Sequence, residues 1–262
     1  MMIISKFKTF INSGSERSRN VKKNAIGSLL IRILSMVVDF AKIPILLTYL
    51  DSERYGLYVT IASIVYWTHN FDFGLGTGLR YKLTSAISNS SFEYGKRLVS
   101  TAYLSMSGVM SFLLLVFLPI IAFLDWNRLL NTNTIQNQEL ILCVIVVLVV
   151  FVVQFILELI TYVLQSYQRA AFSSIFKPLA NLLTLVVILF LRVFSENSLL
   201  LACFAMTFPI VMVLLVANVV LYRRKCKDVS PSVSWYDKKC LKDVYSLGLK
   251  FFISQSSNLI VF

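Results

Sequence analysis

Charge is what this sequence has least of. Only 15% of its 262 residues are Asp, Glu, Lys or Arg and 57% are hydrophobic, whereas a soluble domain carries about a quarter charged residues. With a mean hydropathy of +0.75, the chain is excluded from the ordinary soluble globular class. Regular alternation of apolar and polar residues is also missing. The hydrophobic runs are long and continuous, which excludes an outer-membrane barrel of ~10-residue alternating strands and leaves an all-α, polytopic membrane bundle. Histidine is nearly absent, and the four cysteines, Cys143, Cys203, Cys226 and Cys240, contain no CxxC pair, which argues against a zinc site. There is no HExxH, no nucleophile elbow and no cluster of carboxylates around His69, so the chain does not read as an enzyme and calls for no cofactor. A cleavable leader is missing too: the first long apolar run follows a basic tail and is full length, so it reads as a retained span.

What is present is an excess of 25 Lys and Arg over 13 Asp and Glu. In a membrane protein such an excess is read by position before it is read as a nucleic-acid surface, and no nucleic-acid partner is expected. Six of the basic residues fall in 1–23, four in 80–97, two in 167–177 and eight in 223–250, twenty in all, against Arg54, Arg128 and Arg192 in the alternate loops. By the positive-inside rule the amino terminus is cytoplasmic. The expected organisation is a basic tail at 1–23, a six-helix lobe at 24–222, a basic linker at 223–245 and the start of a seventh helix at 246–262. That last run stops at Phe262 while still hydrophobic, shorter than a comfortable span.

The first span, Asn24 to Leu50, is long enough to cross a ~30 Å hydrocarbon core, yet it holds three charges. Ser28, Arg32, Ser35, Asp39 and Lys42 follow at spacings of four, three, four and three, on one face of a helix. A charge near the bilayer centre costs roughly 2.5–3.5 kcal/mol while a large aliphatic returns about 0.3–0.6 kcal/mol, so this stripe must face protein or water. One reading is a pathway or binding site; the other is an internal ion pair of Asp39 with Lys42 or Arg32 that locks two helices together. A second stripe lies in the fourth span, with Gln154, Glu158, Thr161 and Gln165 again at four, three, four. Glu158 there is either a proton carrier or a paired structural acid. Lys177, Asn181 and Thr184 continue the pattern in the fifth span, and Lys250, Ser254 and Ser257 at the start of the seventh.

Together these faces build a polar cavity in which cations lead: Arg32, Lys42, Lys177 and Lys250, with Arg80 at the mouth, against Asp39, Asp72 and Glu158. Guanidinium and ammonium groups out of bulk water suit a diphosphate or another anionic headgroup. Gly74, Gly76 and Gly78 precede Arg80; they are expected to loosen or end a helix, and without a preceding strand or a following GK[ST] they do not read as a phosphate loop.

The run LLTYLDSERYGLYVTIASIVYWTHNFDFGLGTGLRYKLTSA, followed by EYGKRLVSTAY, resembles the amino-terminal lobe of bacterial polysaccharide exporters. These are the O-antigen flippase type within the multidrug/oligosaccharidyl-lipid/polysaccharide superfamily. The resemblance is clearest over Arg32 to Tyr103, in ERYGLY and in DFGLGTGLR with its Asp72 and Arg80. It implies one lobe of a two-lobe transporter of the bacterial inner membrane. By alternating access, that transporter passes an undecaprenyl-diphosphate-linked oligosaccharide across the membrane, driven by protons or sodium. Arg32, Lys42, Arg80, Lys177 and Lys250 would then bind substrate. Asp39, Asp72 and Glu158 would couple to the ion, and Ser28, Ser35, Gln154, Asn181 and Ser254 would line the cavity. Membrane lipids, a polysaccharide polymerase and a chain-length regulator are the further partners it implies. A fragment, or a half that pairs with another copy, is expected from the missing second lobe. The alternatives are a multidrug cation antiporter of the same superfamily, whose cavity would be dominated by acids, and a noncatalytic membrane scaffold in glycan assembly.

Overall fold

The computed structural model describes residues 16–67, 74–195 and 197–261. Asp72 lies outside them, as do the side chains of Ser28 and Ser254. Among the described residues every regular element is helical. α1 is Glu16–Trp67, α2 Leu75–Ser88, α3 Phe92–Phe123, α4 Trp126–Leu130, α5 Asn137–Leu157, α6 Leu159–Ser166, α7 Ala170–Ser173, α8 Phe176–Phe194, α9 Leu199–Arg224 and α10 Lys238–Val261. Two 3-10 turns, Lys227–Val229 and Val233–Trp235, lie between α9 and α10. Four helical stretches are long and apolar enough to cross a membrane: Phe92–Phe123, Asn137–Ser166, Ala170–Phe194 and Leu199–Arg224.

α1 runs through the turn expected after Tyr49, and Asp51 breaks it into two arms with φ 65° and ψ 172°. The Asp51 carboxylate accepts from the backbone N–H of Glu53 and of Arg54, each at 3.0 Å, and so caps the second arm. This turn meets two others at one end of the bundle. Thr132 and Thr134 donate to the Glu53 carboxylate, Arg54 to the carbonyl of Asn197, and Tyr49 shares a 2.9 Å hydrogen bond with Ser195. The basic segments gather at the other end, where Ser166 donates to the carbonyl of Arg80 at 3.1 Å and Lys82 pairs with Asp243 at 3.6 Å.

α9 forms the middle of the packing, against α5 and α8; α1 lies on α8, and α10 lies on α2. Leu79, Leu83, Leu98, Leu140, Ile160 and Leu164 are fully buried between these helices. On the outside Phe112, Leu115, Phe123 and Val193 are largely exposed. In water that pattern would be costly, whereas acyl chains are as apolar as these side chains.

Two segments differ from their expected form. Residues 80–97, expected as a polar loop, are mostly helical in α2 and the start of α3, and α10 begins at Lys238, well before the expected start of the seventh run. The glycines that were to loosen a helix start one instead. Gly74, at φ 69°, stands at the head of α2. A Cβ on Gly74 would overlap the backbone of Gly248, one on Gly78 the backbone of Val244, and one on Gly76 the ring of Tyr162. These positions are glycine because α10 and Tyr162 press on the backbone there.

Candidate functional site

Three of the helical faces read as polar from spacing contribute residues to a cavity of about 410 Å³. The first arm of α1 contributes Asp39 and Lys42 to its wall. Gln154 and Glu158 come from the end of α5, Thr161 from α6, and Lys177, Asn181 and Thr184 from α8. Met206, Ile210 and Leu214 of α9 close the apolar side, with Tyr58 from the second arm of α1, and with Ser173 and Phe176 beside Lys177.

Within this wall Lys42 and Asn181 form a clamp between α1 and α8. The Lys42 ammonium, on a residue only 8% exposed, lies 2.7 Å from the Asp39 carboxylate one turn back and donates to Asn181 Oδ1 at 3.1 Å. Asn181 Nδ2 donates to Asp39 Oδ1 at 2.8 Å and to Ser35 Oγ at 3.1 Å. Each end of the Asn181 amide thus meets the charge it suits, carbonyl to ammonium and NH2 to carboxylate. An ammonium has three donors; two are taken here.

Glu158 stands where the helical stretch Asn137–Ser166 is broken. It joins α5 to α6 with φ −66° and ψ −17°, and Thr161 N donates to the Glu158 carbonyl at 2.8 Å. That short-range bond releases the Leu157 carbonyl, which takes Asn218 Nδ2 of α9 at 2.9 Å instead. Tyr103 donates to Asn218 Oδ1 at 2.7 Å, and Tyr222 donates to Tyr103 at 3.1 Å. The break at the cavity wall is therefore held open by a polar chain reaching α3.

The expected dominance of cations is not what the wall shows. Asp39 and Glu158 balance Lys42 and Lys177, so the lining residues are formally neutral. Arg32, at the edge of the same stripe, is exposed, as are Leu29, Ile33 and Met36 near it on the helix, and it is not in the wall. Arg80 donates to Gln165 at 3.1 Å and lies over the ring of Tyr81; neither it nor the exposed Lys250 is in the wall. Ser35 reaches the cavity only through Asn181. The internal ion pair of Asp39 with Lys42 exists, within α1, and both residues lie in the cavity wall. Among the described residues no His, Cys, Asp and Glu cluster suits a metal ion.

Tyr58 and Phe176, in the cavity wall, and Asn218, at the Leu157 carbonyl, are the positions that spacing missed. Tyr58 lies past the Asp51 turn and Phe176 is an apolar residue beside Lys177, so neither follows a polar stripe. Asn218 had a signal, as a lone amide among Leu, Val and Ala in the apolar Leu199–Arg224 helix.

A family profile described as "Polysaccharide biosynthesis protein" matches residues 21–262. No curated protein matches the sequence. Two solved structures share the fold. One, described as the outward-facing conformation of a multidrug resistance MATE family transporter of the MOP superfamily, superposes with TM-score 0.67 at 17% identity over 92% of this chain. The other is a MOP superfamily transporter from Pyrococcus furiosus, described as having a binding pocket of reverse polarity that suggests a different function. It superposes with TM-score 0.65 at 16% identity over 96% of this chain. The chain spans about half the length of both, 53% and 55%.

Proposed function

The chain belongs to the polysaccharide biosynthesis protein family, and from that membership and the cavity we propose that it is one six-helix half of a lipid-linked oligosaccharide exporter. Its cargo on this reading is an undecaprenyl-diphosphate-linked repeat unit, carried across the bacterial inner membrane by alternating access and an ion gradient. The amino terminus and the 223–245 linker lie on the cytoplasmic side, and α10 is the first helix of a second half. The observation that carries the reading is the cavity itself. Polar faces from α1, α5 with α6, and α8 meet around about 410 Å³, where a purely structural bundle would pack aliphatic side chains. A helix that bears a charged stripe in a bilayer is expected to serve a pathway or a binding site.

The roles of individual residues follow the geometry. Lys177 is exposed at the wall and forms no ion pair among the described residues, so its ammonium is available to a phosphate oxygen. Lys42 has one donor left for cargo, one committed to Asp39 on its own helix and one to Asn181 on α8. Arg32, Arg80 and Lys250, away from this wall, would meet the diphosphate in the cleft between the two halves. Glu158, at the broken helix, is the acid placed to couple an ion to a change of helix direction. Asp39 is already engaged by Lys42 and Asn181.

The multidrug antiporter reading draws on the two cavity acids and on the aromatic Tyr58 and Phe176, which suit an organic cation. One experiment separates the two. The full coding chain is expressed in a strain that lacks its own exporter, and surface polysaccharide and ethidium resistance are both measured. Export is expected, with Lys177→Gln lowering it about tenfold at equal membrane level, the worth of one charge-assisted hydrogen bond. Ethidium resistance without polysaccharide would replace the exporter reading by the antiporter. Unchanged export in both Lys177→Gln and Lys42→Met would remove the cavity from the pathway.

A further inference from the structure

The basic end of the bundle has a groove that the cargo cavity does not use. α9 is 26 residues long, about 39 Å at 1.5 Å per residue, and so overshoots a hydrocarbon core of about 30 Å. Its last turn therefore stands at headgroup depth. Just before it, Val216, Val219 and Val220 are 54%, 43% and 45% exposed, a strip fit for acyl chains. Where that turn meets the linker, Val219, Tyr222, Arg223, Ser230 and Pro231 line an open groove of about 360 Å³. Arg223 lines it, and its sequence neighbours Arg224, Lys225 and Lys227 are exposed, as is Asp228, with the Lys225 ammonium over the Phe172 ring. Among the described residues none of the four cations forms an ion pair.

The linker side of the groove is not loose. Ser232 N donates to the buried Ser100 Oγ at 3.0 Å, Asp237 N donates to Thr101 Oγ1 at 3.0 Å, and the Trp235 ring lies beneath Lys96 and Arg97. Ser230 and Pro231 are thus held in place opposite Arg223, so a ligand would meet a preformed site.

We infer that this groove seats the headgroup of an anionic phospholipid. Its phosphate lies against the Arg223 guanidinium and the Ser230 hydroxyl, and its chains run along Val216, Val219 and Val220. A guanidinium beside a hydroxyl matches phosphate oxygens. The surrounding cations select the net charge: a choline headgroup would bring its own cation against them, whereas a phosphatidylglycerol headgroup brings none. The site depends on α9 crossing a bilayer and not on what the protein carries.

The test uses the purified full chain in detergent, titrated with dioleoyl-phosphatidylglycerol or dioleoyl-phosphatidylcholine, with bound lipid counted by native mass spectrometry. Phosphatidylglycerol is expected to be retained and phosphatidylcholine not. Since each basic residue near a membrane surface is worth about fivefold, Arg223→Gln with Arg224→Gln should weaken retention roughly thirtyfold. Arg54→Gln with Arg128→Gln, at the opposite end, should leave it unchanged. Equal retention of the two lipids, or retention unaffected by the Arg223 and Arg224 changes, overturns the site. Should the double variant fail to fold, wild-type protein decides. Raising salt from about 0.05 M to about 0.5 M must release phosphatidylglycerol if headgroup charge holds it, and salt-insensitive binding overturns the site equally.

Discussion

Lys42 shows how one residue can carry two readings. Its spacing put it on a polar stripe; its geometry makes it a strut, with Asp39 on its own helix and Asn181 on α8. Because the Asp39 side chain keeps 43% of its surface exposed, removing the ammonium does not strand a fully buried carboxylate. Lys42→Ala is therefore expected to cost about 1–3 kcal/mol, below the 3–5 kcal/mol of a fully buried pair. Asn181→Ala should cost a similar amount, and the double variant clearly less than the sum, since both remove the same clamp. Thermal unfolding of the purified variants measures this, and strict additivity would mean that the two residues act separately. A second residue-scale expectation concerns the linker thiols. Burial pushes the Cys226 and Cys240 thiols up, because a thiolate there would lose its water. A raised acid favours the neutral form in the fold, so its contribution is full below the unfolded thiol value of about 8.5 and is lost as pH rises toward the folded value. Iodoacetamide should accordingly modify both slowly at pH 8 in folded protein and fast once it is unfolded. Equal rates would place these thiols in water.

At the scale of elements, what was legible was periodicity. The four-three-four spacings picked out Asp39, Lys42, Gln154, Glu158, Thr161, Lys177, Asn181 and Thr184, which line the cavity, because a side chain's place around a helix depends only on local geometry. Where neighbouring helices would sit was not in that signal, so Arg32, Arg80 and Lys250 were grouped with Lys42 and Lys177 though they lie elsewhere. Glu158 was flagged as an acid, but the break at its position depends on Asn218 reaching the Leu157 carbonyl from a helix 61 residues away. The glycines were misread for the same reason. GLGTG looked like a loosened end, while the demand for glycine comes from Gly248 and Val244 of α10. Gly78→Ala is expected to separate α2 from α10 and lower stability by about 1–3 kcal/mol, the usual cost of overpacking. Gly108 supplies the control: nothing lies within 4 Å of a Cβ built there, so Gly108→Ala should be neutral or up to about 1 kcal/mol stabilising, as helix propensity dictates. Detergent unfolding midpoints of the two variants moving in the same direction would refute the close crossing.

At the scale of the whole molecule, the two ends of the bundle differ in charge. The structure gathers the turns around Asp51, Thr132 and Ser195 at one end, and the basic segments around Arg80 and Lys82 at the other. Charge arithmetic along the sequence and helix geometry therefore divide the chain in the same way. Positive residues resist translocation, so the basic end is expected inside. All four native cysteines are buried, which leaves a quiet background for single reporters. Asn133 and Ser234 are exposed at opposite ends. Asn133→Cys should react with a membrane-impermeant maleimide in intact cells, and Ser234→Cys only after the membrane is opened. The reverse pattern would place the linker outside, and with it the groove beside Arg223 and the entrance for a cargo made in the cytoplasm. Labelling of both reporters in intact cells would mean that the chain does not hold one orientation.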